Sequence, residues 1–453
     1  MNDEIERRKA VVAAQATDVD RWSQRGSFAP AWAYRAGLAA QMIPAYAKVL
    51  DIGCGAMDLE RVLPEGCQYQ PSDLVARDER TIVCDLNAGQ FPDGVEPDVV
   101  TMLGVLEYIR EPLDLLRKVR ALNRPLVCSY SITDRRPGLD RAAQGWINSF
   151  DFAALQALMH QAGFVLRCRQ TIDPLQDVFK WEPEGPAIPP LAAPKKVLVL
   201  SYYNDFNFGD RLGYHVINGL VPAGAIVTHA SVKPWTVPDE AFDLLILGIG
   251  NSLNAATVMR PDLHRLLETT PHTLGVFGTT YRYQYRELID PKLFDSLLSK
   301  LTTWWARYEE DIAAFGVGRS NVRHLGDLLI SAFPLATPTL DRNLVIPADF
   351  KSQDVPLDRT IQRIQAYKRV SSARIHPLLC ALTSADEVKY QEQSEDPRQS
   401  HSGKFRSQLY DIFGRSFDED KFFAVDREAV TRYKLRVEAN LVDLRAQIAT
   451  LLS

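Results

Sequence analysis

Two stretches of this chain begin in the same way. Residues 48–63, KVLDIGCGAMDLERVL, and residues 195–216, KKVLVLSYYNDFNFGDRLGYHV, each run an apolar segment into a glycine-containing loop and then a helical pattern. That layout opens ligand-binding α/β domains, where the first strand, loop and helix form one wall of a site. Two such starts imply two ligand sites. The length agrees, since 453 residues exceed what one ordinary core accommodates. Between the two starts lies WEPEGPAIPPLAAPKK, residues 181–196, with five prolines and little that could pack. Proline favours extended spacers, so the segment reads as a linker. The expected organisation is a first domain over 1–182, a linker over 183–196 and a second domain over 197–453.

Strand-like and amphipathic helical segments alternate on both sides of the linker, which implies parallel sheets with crossover helices. Before it, strands are expected at 48–52, 67–70, 81–84, 98–102, 125–130, 164–171 and 177–181, with helices at 29–43, 56–63, 112–122 and 151–162. After it, strands are expected at 197–203, 225–230, 243–248, 273–277, 302–306 and 344–347. Helices are expected there at 210–220, 261–269, 291–299, 308–315, 357–366 and 375–382. A last helix over 427–451 would present Leu435, Val437, Leu441, Leu444 and Ile448 to its own domain or to a second subunit. The polar stretch 391–404 reads as a loop.

Composition removes several function classes. A net charge of −5 argues against a protein that coats nucleic acid. No apolar run approaches the roughly 20 residues that span a bilayer, and the first residues, MNDEIERRK, are too charged for a secretory signal. Cysteines 54, 67, 84, 128, 168 and 380 form no CxxC pair, so neither a disulfide framework nor a metal site is expected. A cytoplasmic protein fits, with peripheral contact at the inner face of a membrane and self-association left open.

In the first domain, VLDIGCG supplies Asp51, Gly53 and Gly55 at a strand end, where glycines let the backbone approach a ligand. YQPSDL places Asp73 at the end of the next strand, where a carboxylate can accept from a ribose diol. TIVCDLN supplies Asp85, and DVVTMLGVLEYI supplies Leu103 and Gly104. In this order the segments resemble the class I S-adenosylmethionine-dependent methyltransferases, over roughly residues 25–182. The resemblance implies a Rossmann-like domain. In it the first loop wraps the methionine part of S-adenosylmethionine, Asp85 lies near the adenine amine, and Gly104 to Tyr108 line the cofactor. The segment from Pro71 to Arg80 is short for the family's second helix. Tyr130, Asp134, Arg136 and Trp146 lie past a strand end where acceptors bind, while mid-helix His160 reads as a surface residue.

In the second domain, NFGD places Asn207, Gly209 and Asp210 at a helix start. Asp210 is a natural N-cap, and the same residues could line a polar pocket. FDLLILGIGNSL ends a strand in Gly248, Gly250 and Asn251; WWARYEED sets Arg307 after another. VSSARIHP places Ser372, Arg374 and His376 at a strand-to-helix turn, and GKFRSQL adds Lys404 and Arg406. Taken in order, these resemble the polysaccharide pyruvyl transferase family over roughly 196–415. That resemblance implies a GT-B-like arrangement of two Rossmann-like halves, with phosphoenolpyruvate as donor and a glycan or lipid-linked oligosaccharide as acceptor. The stretch 334–360 is short, so the second half should be trimmed.

An anionic donor needs fixed cations, and arginine bonds phosphate and carboxylate bidentately. Arg374 is the first candidate, with Arg307, Lys404 and Arg406 behind it, and His376 near its ordinary pKa could move protons. Trp304 and Trp305 sit in a strand-like run and should pack rather than bind sugar. Together the two domains suggest an α/β transferase that modifies a polysaccharide with pyruvyl and methyl groups. The competing expectation is a GT-B glycosyltransferase using a nucleotide sugar, because His376-Pro377 is also similar to transferases of CMP-activated keto-sugars. Its methyltransferase domain would then be active or a scaffold.

Overall fold

The computed structural model describes residues 2–30, 32–173, 175–185, 194–202, 207–248, 255–279, 290–352, 355–392 and 403–453. Gly250 and Asn251, and most of the 391–404 stretch, lie outside the described residues. Contacts divide the chain into two compact units, residues 1–194 and 195–453.

The N-terminal unit is a seven-stranded sheet flanked by helices. Its strands are β1 (Lys48–Ile52), β2 (Gln68–Asp73), β3 (Ile82–Val83), β4 (Val99–Leu103), β5 (Leu126–Tyr130), β6 (Phe164–Gln170) and β7 (Asp177–Pro183). Their order is β6-β7-β5-β4-β1-β2-β3. The five strands β1 to β5 pair in parallel, and β7 runs antiparallel to both β5 and β6. β4 and β5 are buried along their whole length, as strands covered on both faces must be. Leu50, Val100, Leu116, Val127 and Trp181 are fully buried in this core.

The antiparallel edge is tied down by charge. Asp177, wholly buried, accepts from Arg169 Nε at 2.9 Å and also pairs with Arg135. The Arg169 guanidinium lies 3.9 Å from the Phe152 ring centre. No helix connects β2 to β3. Instead a tight loop over 74–81 is closed by Thr81 Oγ1, which accepts from the backbone amides of Arg77 and Asp78 at 3.1 Å. The chain also forms N-terminal helices that the sequence pattern did not suggest, Asn2–Ala13 and Val19–Ser23.

The C-terminal unit holds two sheets. The first comprises β8 (Lys196–Ser201), β9 (Ile226–Ser231), β10 (Leu244–Leu247), β11 (His272–Phe277), β12 (Thr303–Ala306) and β13 (Val322–His324). All pair in parallel, in the order β13-β12-β11-β10-β8-β9. Leu198, Leu245, Phe277, Leu297 and Trp304 anchor its core. The second comprises β14 (Leu340–Ile346), β15 (Tyr367–Ser372), β16 (Glu387–Tyr390) and β17 (Phe423–Ala424), parallel except for the last. It is shorter than the first, with β15 flanked in sequence by the helices Leu357–Gln365 and Ile375–Leu382.

Trp304 and Trp305 are packing residues: both are buried, and their indoles donate to the Phe277 carbonyl at 3.0 Å and to Gln447 at 2.7 Å. The final helix, Arg427–Leu452, buries Tyr433, Val437, Leu441, Leu444 and Ile448. Leu435 is not on that face but 60% exposed. It stands two residues from Val437, which is roughly 200° around a helix, and Tyr433 takes the expected place. Among the described residues no helix is long and apolar enough to cross a membrane.

Candidate active site

The strand order reverses between β1 and β4, with the chain passing from β1 outward to β2 and β3 and then back to β4 on the other side. Loops leaving the two strands diverge there and open a crevice at their carboxyl ends. A cavity of about 410 Å³ occupies this place. It falls within the ~300–1,000 Å³ range of small-molecule sites. Asp51, Gly53, Gly55, Asp73, Asp85, Leu103 and Gly104, all expected from sequence, line it together.

The glycine positions are sterically required. Gly53 has φ +74°, and a Cβ there would come within 2.4 Å of Val105 Cγ2. Gly104 has φ +72°, and a Cβ there would meet Arg35 Nη1 at 2.5 Å. Both conformations favour glycine, and both approaches are too close for any side chain.

Asp51 is 3% exposed and accepts from Thr101 Oγ1 and Tyr69 Oη, each at 2.7 Å. Burial, with a smaller contribution from the charge of Asp73, pushes its pKa up to about 6 against these two hydrogen bonds. Asp85 caps the short turn Leu86–Ala88 by accepting from the amides of Asn87 and Ala88. Asp73 is more heavily engaged. Its Oδ2 accepts from the Gly55 amide at 2.7 Å and from Arg77 Nε at 3.1 Å. Its Oδ1 accepts from the Leu74 amide at 2.7 Å and from Arg77 Nη2 at 3.0 Å. A carboxylate offers about four acceptor positions, so this one is saturated. Arg77, unnoticed in the sequence, also lies 4.8 Å from the Phe28 ring centre.

The remaining wall comes from segments that sequence reasoning passed over. Arg21, Trp22, Phe28, Trp32 and Arg35 reach the cavity from the N-terminal segments, and Tyr108 and Trp146 join them from later in the chain. Trp146 Nε1 donates to Tyr108 Oη at 3.0 Å, and the Trp22 and Tyr108 ring centres lie 5.0 Å apart, edge to face. The spacing of Trp22, Phe28 and Trp32 with Arg21 and Arg35, just upstream of the glycine loop, was the available signal. Of the four residues expected beside the acceptor, Arg136 and Trp146 line the cavity. Tyr130 is buried and bonded to Asn148, while Asp134 accepts from the Phe152 amide. His160 is exposed, as expected of a surface residue.

In the C-terminal unit the helix at NFGD spans Phe208–Asn218, and its N-cap is Asn207, not Asp210. Asn207 Oδ1 accepts from the Gly209 amide at 2.9 Å, so the helix starts two residues earlier than expected and Asp210 falls inside its first turn. Gly209 packs against His376, whose Nδ1 would lie 1.7 Å from a Cβ at that position. His376 Nε2 lies 3.2 Å from Arg307 Nη2, and Arg307 forms a buried ion pair with Asp327.

Burial pushes the His376 pKa down to about 4, with Asp327 opposing and Arg307, Lys404 and Arg374 assisting. The ordinary pKa expected of it is therefore not what its surroundings allow, and at neutral pH the imidazole is uncharged. Arg374 occupies the N-cap position of Ile375–Leu382. Ser372 Oγ is spent on the turn, donating to the Arg374 carbonyl at 2.7 Å and accepting from its amide at 3.0 Å. Gly248 follows β10 with φ +72°. Arg406 interacts with Tyr390. A small cavity of about 20 Å³ lies among Gly209, Asp210, Arg307, Asp327 and His376. Elsewhere in the unit Glu309, His324 and Asp411 bring ligand-type atoms within 4.8 Å of one another. Ion pairs already account for that grouping, His324 with Asp411 at 3.1 Å and Arg436 with Glu309 at 2.7 Å.

Residues 22–169 match the family model described as a methyltransferase domain. The match lies within the N-terminal unit, which is similar over these residues to a methyltransferase domain. No relative among the curated proteins matches the chain. Among solved structures, a putative O-methyltransferase from Nostoc punctiforme is 18% identical, with a TM-score of 0.30 over 36% of this chain and 60% of its own. CalO1, a methyltransferase of calicheamicin biosynthesis in its SAH-bound form, is 16% identical, with a TM-score of 0.28 over 33% and 54%. A possible histamine N-methyltransferase from Thermotoga maritima is 13% identical, with a TM-score of 0.24 over 33% and 89%. The chain thus spans 54–60% of the length of the first two structures.

Proposed function

We propose that the N-terminal unit binds S-adenosylmethionine in the cavity at the β1/β4 reversal and transfers its methyl group to a small acceptor bound in the same cavity. The observation that carries this reading is the convergence of Gly53, Gly55 and Gly104 with Asp51, Asp73 and Asp85 on one cavity of about 410 Å³. The cofactor would supply an electrophilic methyl group on a sulfonium. Gly53 and Gly104 let Val105 and Arg35 pack directly against the backbone of the cofactor wall. Asp51 supplies negative charge for the cationic methionine portion, and Arg35, beside Gly104, can pair with that portion's carboxylate. Asp73 would receive the ribose hydroxyls once Arg77 gives way. The aromatic wall excludes water from the reacting atoms.

Calorimetric titration with S-adenosylhomocysteine tests the reading. Wild type should bind, and Gly104→Val should lose binding while keeping its circular dichroism spectrum. A wild-type protein that does not bind would end it.

A second reading concerns the C-terminal unit, where His376, Arg307 and Asp327 meet the NFGD helix start with Lys404 and Arg374 close by. This grouping favours an anionic donor, and phosphoenolpyruvate used to build a pyruvyl ketal on a glycan fits it. In that reaction one sugar hydroxyl adds to the enol carbon bearing oxygen, a proton goes to the methylene carbon, and a second hydroxyl displaces phosphate. His376, uncharged and facing Arg307 at 3.2 Å, would help to orient that guanidinium toward the donor. Binding of phosphoenolpyruvate, lost in Arg374→Ala, is the expected result. Selective binding of a nucleotide instead would assign the unit to nucleotide-sugar transfer.

A further inference from the structure

We infer that the methyl acceptor of the N-terminal unit is a ring compound bearing a carboxylate, anchored through that carboxylate by Arg21. The inference rests on the reading of this cavity as a methyl-transfer site.

Its basis is a charge count. Arg21 is only 7% exposed and lines the cavity. Its Nη1 donates to the Gln144 carbonyl at 2.8 Å, and its Nε, buried, has no hydrogen-bond partner. Arg35 also lines the cavity, its Nη1 donating to Gln176 Oε1 at 2.5 Å. Among the described residues no carboxylate forms an ion pair with either guanidinium. Guanidinium stays charged in proteins, and a buried charge without a counter-charge is destabilising.

The carboxylates on the cavity wall cannot serve, because each is already engaged. Asp51 is held by Tyr69 and Thr101, Asp58 by Arg61, Asp73 by Arg77 and two amides, and Asp85 by its own turn. Behind the wall, buried Glu107 and Asp173 oppose the Arg35 charge, while Asp18 and Glu4, which act on Arg21 from outside the lining, are already paired with Arg7. A direct counter-charge within the cavity is therefore what a ligand would bring. S-adenosylmethionine carries a single carboxylate. Arg35 stands against Gly104, on the cofactor wall. Arg21 stands instead against Gly145 and the Gln144 carbonyl, and is left for the acceptor. The planar fork of arginine matches a carboxylate bidentately, which a neutral amide or an amine cannot reproduce.

The surroundings of Arg21 fix the rest of the acceptor. Its guanidinium lies 4.4 Å from the Trp22 ring centre and 5.9 Å from that of Tyr108. With Trp32 and Trp146 these rings give the cavity flat apolar faces. A flat ring carrying an acid group satisfies both features. Two sources share that chemistry, an aromatic acid and a sugar acid whose ring face can lie on indole.

The test uses full-length protein saturated with S-adenosylhomocysteine and ligand-detected NMR. The probes are matched sets: indole-3-acetate, indole-3-acetamide and tryptamine for the aromatic source, glucuronate and glucuronamide for the sugar source. In at least one set the acid should bind roughly tenfold more tightly than its neutral or cationic match, the value of one charge-assisted pair. Arg21→Gln should erase that preference while leaving S-adenosylhomocysteine affinity within about twofold. Arg21→Lys keeps the charge but loses the fork, so it should retain part of the preference and guards against a folding defect. Equal binding of amide or amine, no acid binding in either set, or a preference that survives Arg21→Gln would overturn the assignment. Failure of wild type to bind S-adenosylhomocysteine would instead remove the methyl-transfer reading itself.

Discussion

At the scale of single residues, Asp51 sets a pH dependence whose sign is fixed by burial. Its folded pKa of about 6 lies above the ordinary aspartate value near 3.9, so the folded state holds this proton more tightly than the unfolded state. The stabilising contribution is complete below pH ~4 and is lost as pH rises to about 6, amounting to ~3 kcal/mol. Urea unfolding of wild type and Asp51→Asn between pH 4.5 and 7 isolates this contribution. The variant should gain on wild type as pH rises, and parallel profiles would refute the shift. The same proton couples to ligand: a cationic cofactor favours the ionised form, so affinity should rise through pH 6 and binding should release protons below it. Arg77 gives a second residue-scale expectation. It occupies the acceptor positions of Asp73 that a ribose would use, so Arg77→Met should tighten S-adenosylhomocysteine binding several-fold in the same titration. Asp51, Asp73 and Asp85 stood out in the sequence through the resemblance to class I methyltransferases, and all three line one cavity. Arg77 and Arg21 did not stand out, because a lone arginine in a loop or short helix carries no pattern until the fold brings it to a carboxylate or a cavity.

At the scale of elements, legibility followed burial. Strands buried along all or nearly all of their length, such as β4, β5, β8 and β10, stand out as apolar runs and were found within a residue or two. β15 and β16, YKRVSS and EVKY, show only one or two apolar residues each and were missed, although they form the centre of the second sheet. β14 was only partly found, because most of its residues are exposed. The N-terminal helix NDEIERRKAVVA is strongly charged and gives no clear apolar stripe, so its contribution to the first unit was invisible as well. Helix starts show the same dependence on context. An alanine inside a helix ordinarily stabilises it by ~1 kcal/mol over glycine. Gly37, in the helix Trp32–Ala40, has nothing within 4 Å of a built Cβ, so Gly37→Ala should stabilise the protein by about that amount. Gly209 is also helical, but its Cβ would overlap His376, and overpacking of this kind costs ~1–3 kcal/mol. Gly209→Ala should therefore lower the denaturation midpoint. A stabilised Gly209→Ala would mean that His376 does not sit against this helix.

At the scale of the whole molecule, the paired starts in the sequence correspond to two cores. Leu50, Val100 and Val127 belong to one, and Leu198, Leu245 and Trp304 to the other. The cavity attributed to S-adenosylmethionine is lined entirely by residues of the first unit. A ligand stabilises what must unfold to release it, by ~2.7 kcal/mol at a concentration one hundred times its Kd. If each unit unfolds around its own core, saturating S-adenosylhomocysteine should slow hydrogen exchange about a hundredfold for the most protected amides of β1, β4 and β5. Exchange in β8, β10 and β11 should be unchanged. Protection spreading equally into those strands would mean that the chain unfolds as one cooperative body. Protection confined to the C-terminal unit would move the binding site away from the β1/β4 reversal. Phosphoenolpyruvate supplies the reciprocal measurement. On the second reading it should protect the amides that follow β12 and β15, where Arg307 and the Ser372–His376 turn lie, and leave β1 and β4 untouched. The two ligands thus test the two units separately in one protein, and a failure in one leaves the other reading standing.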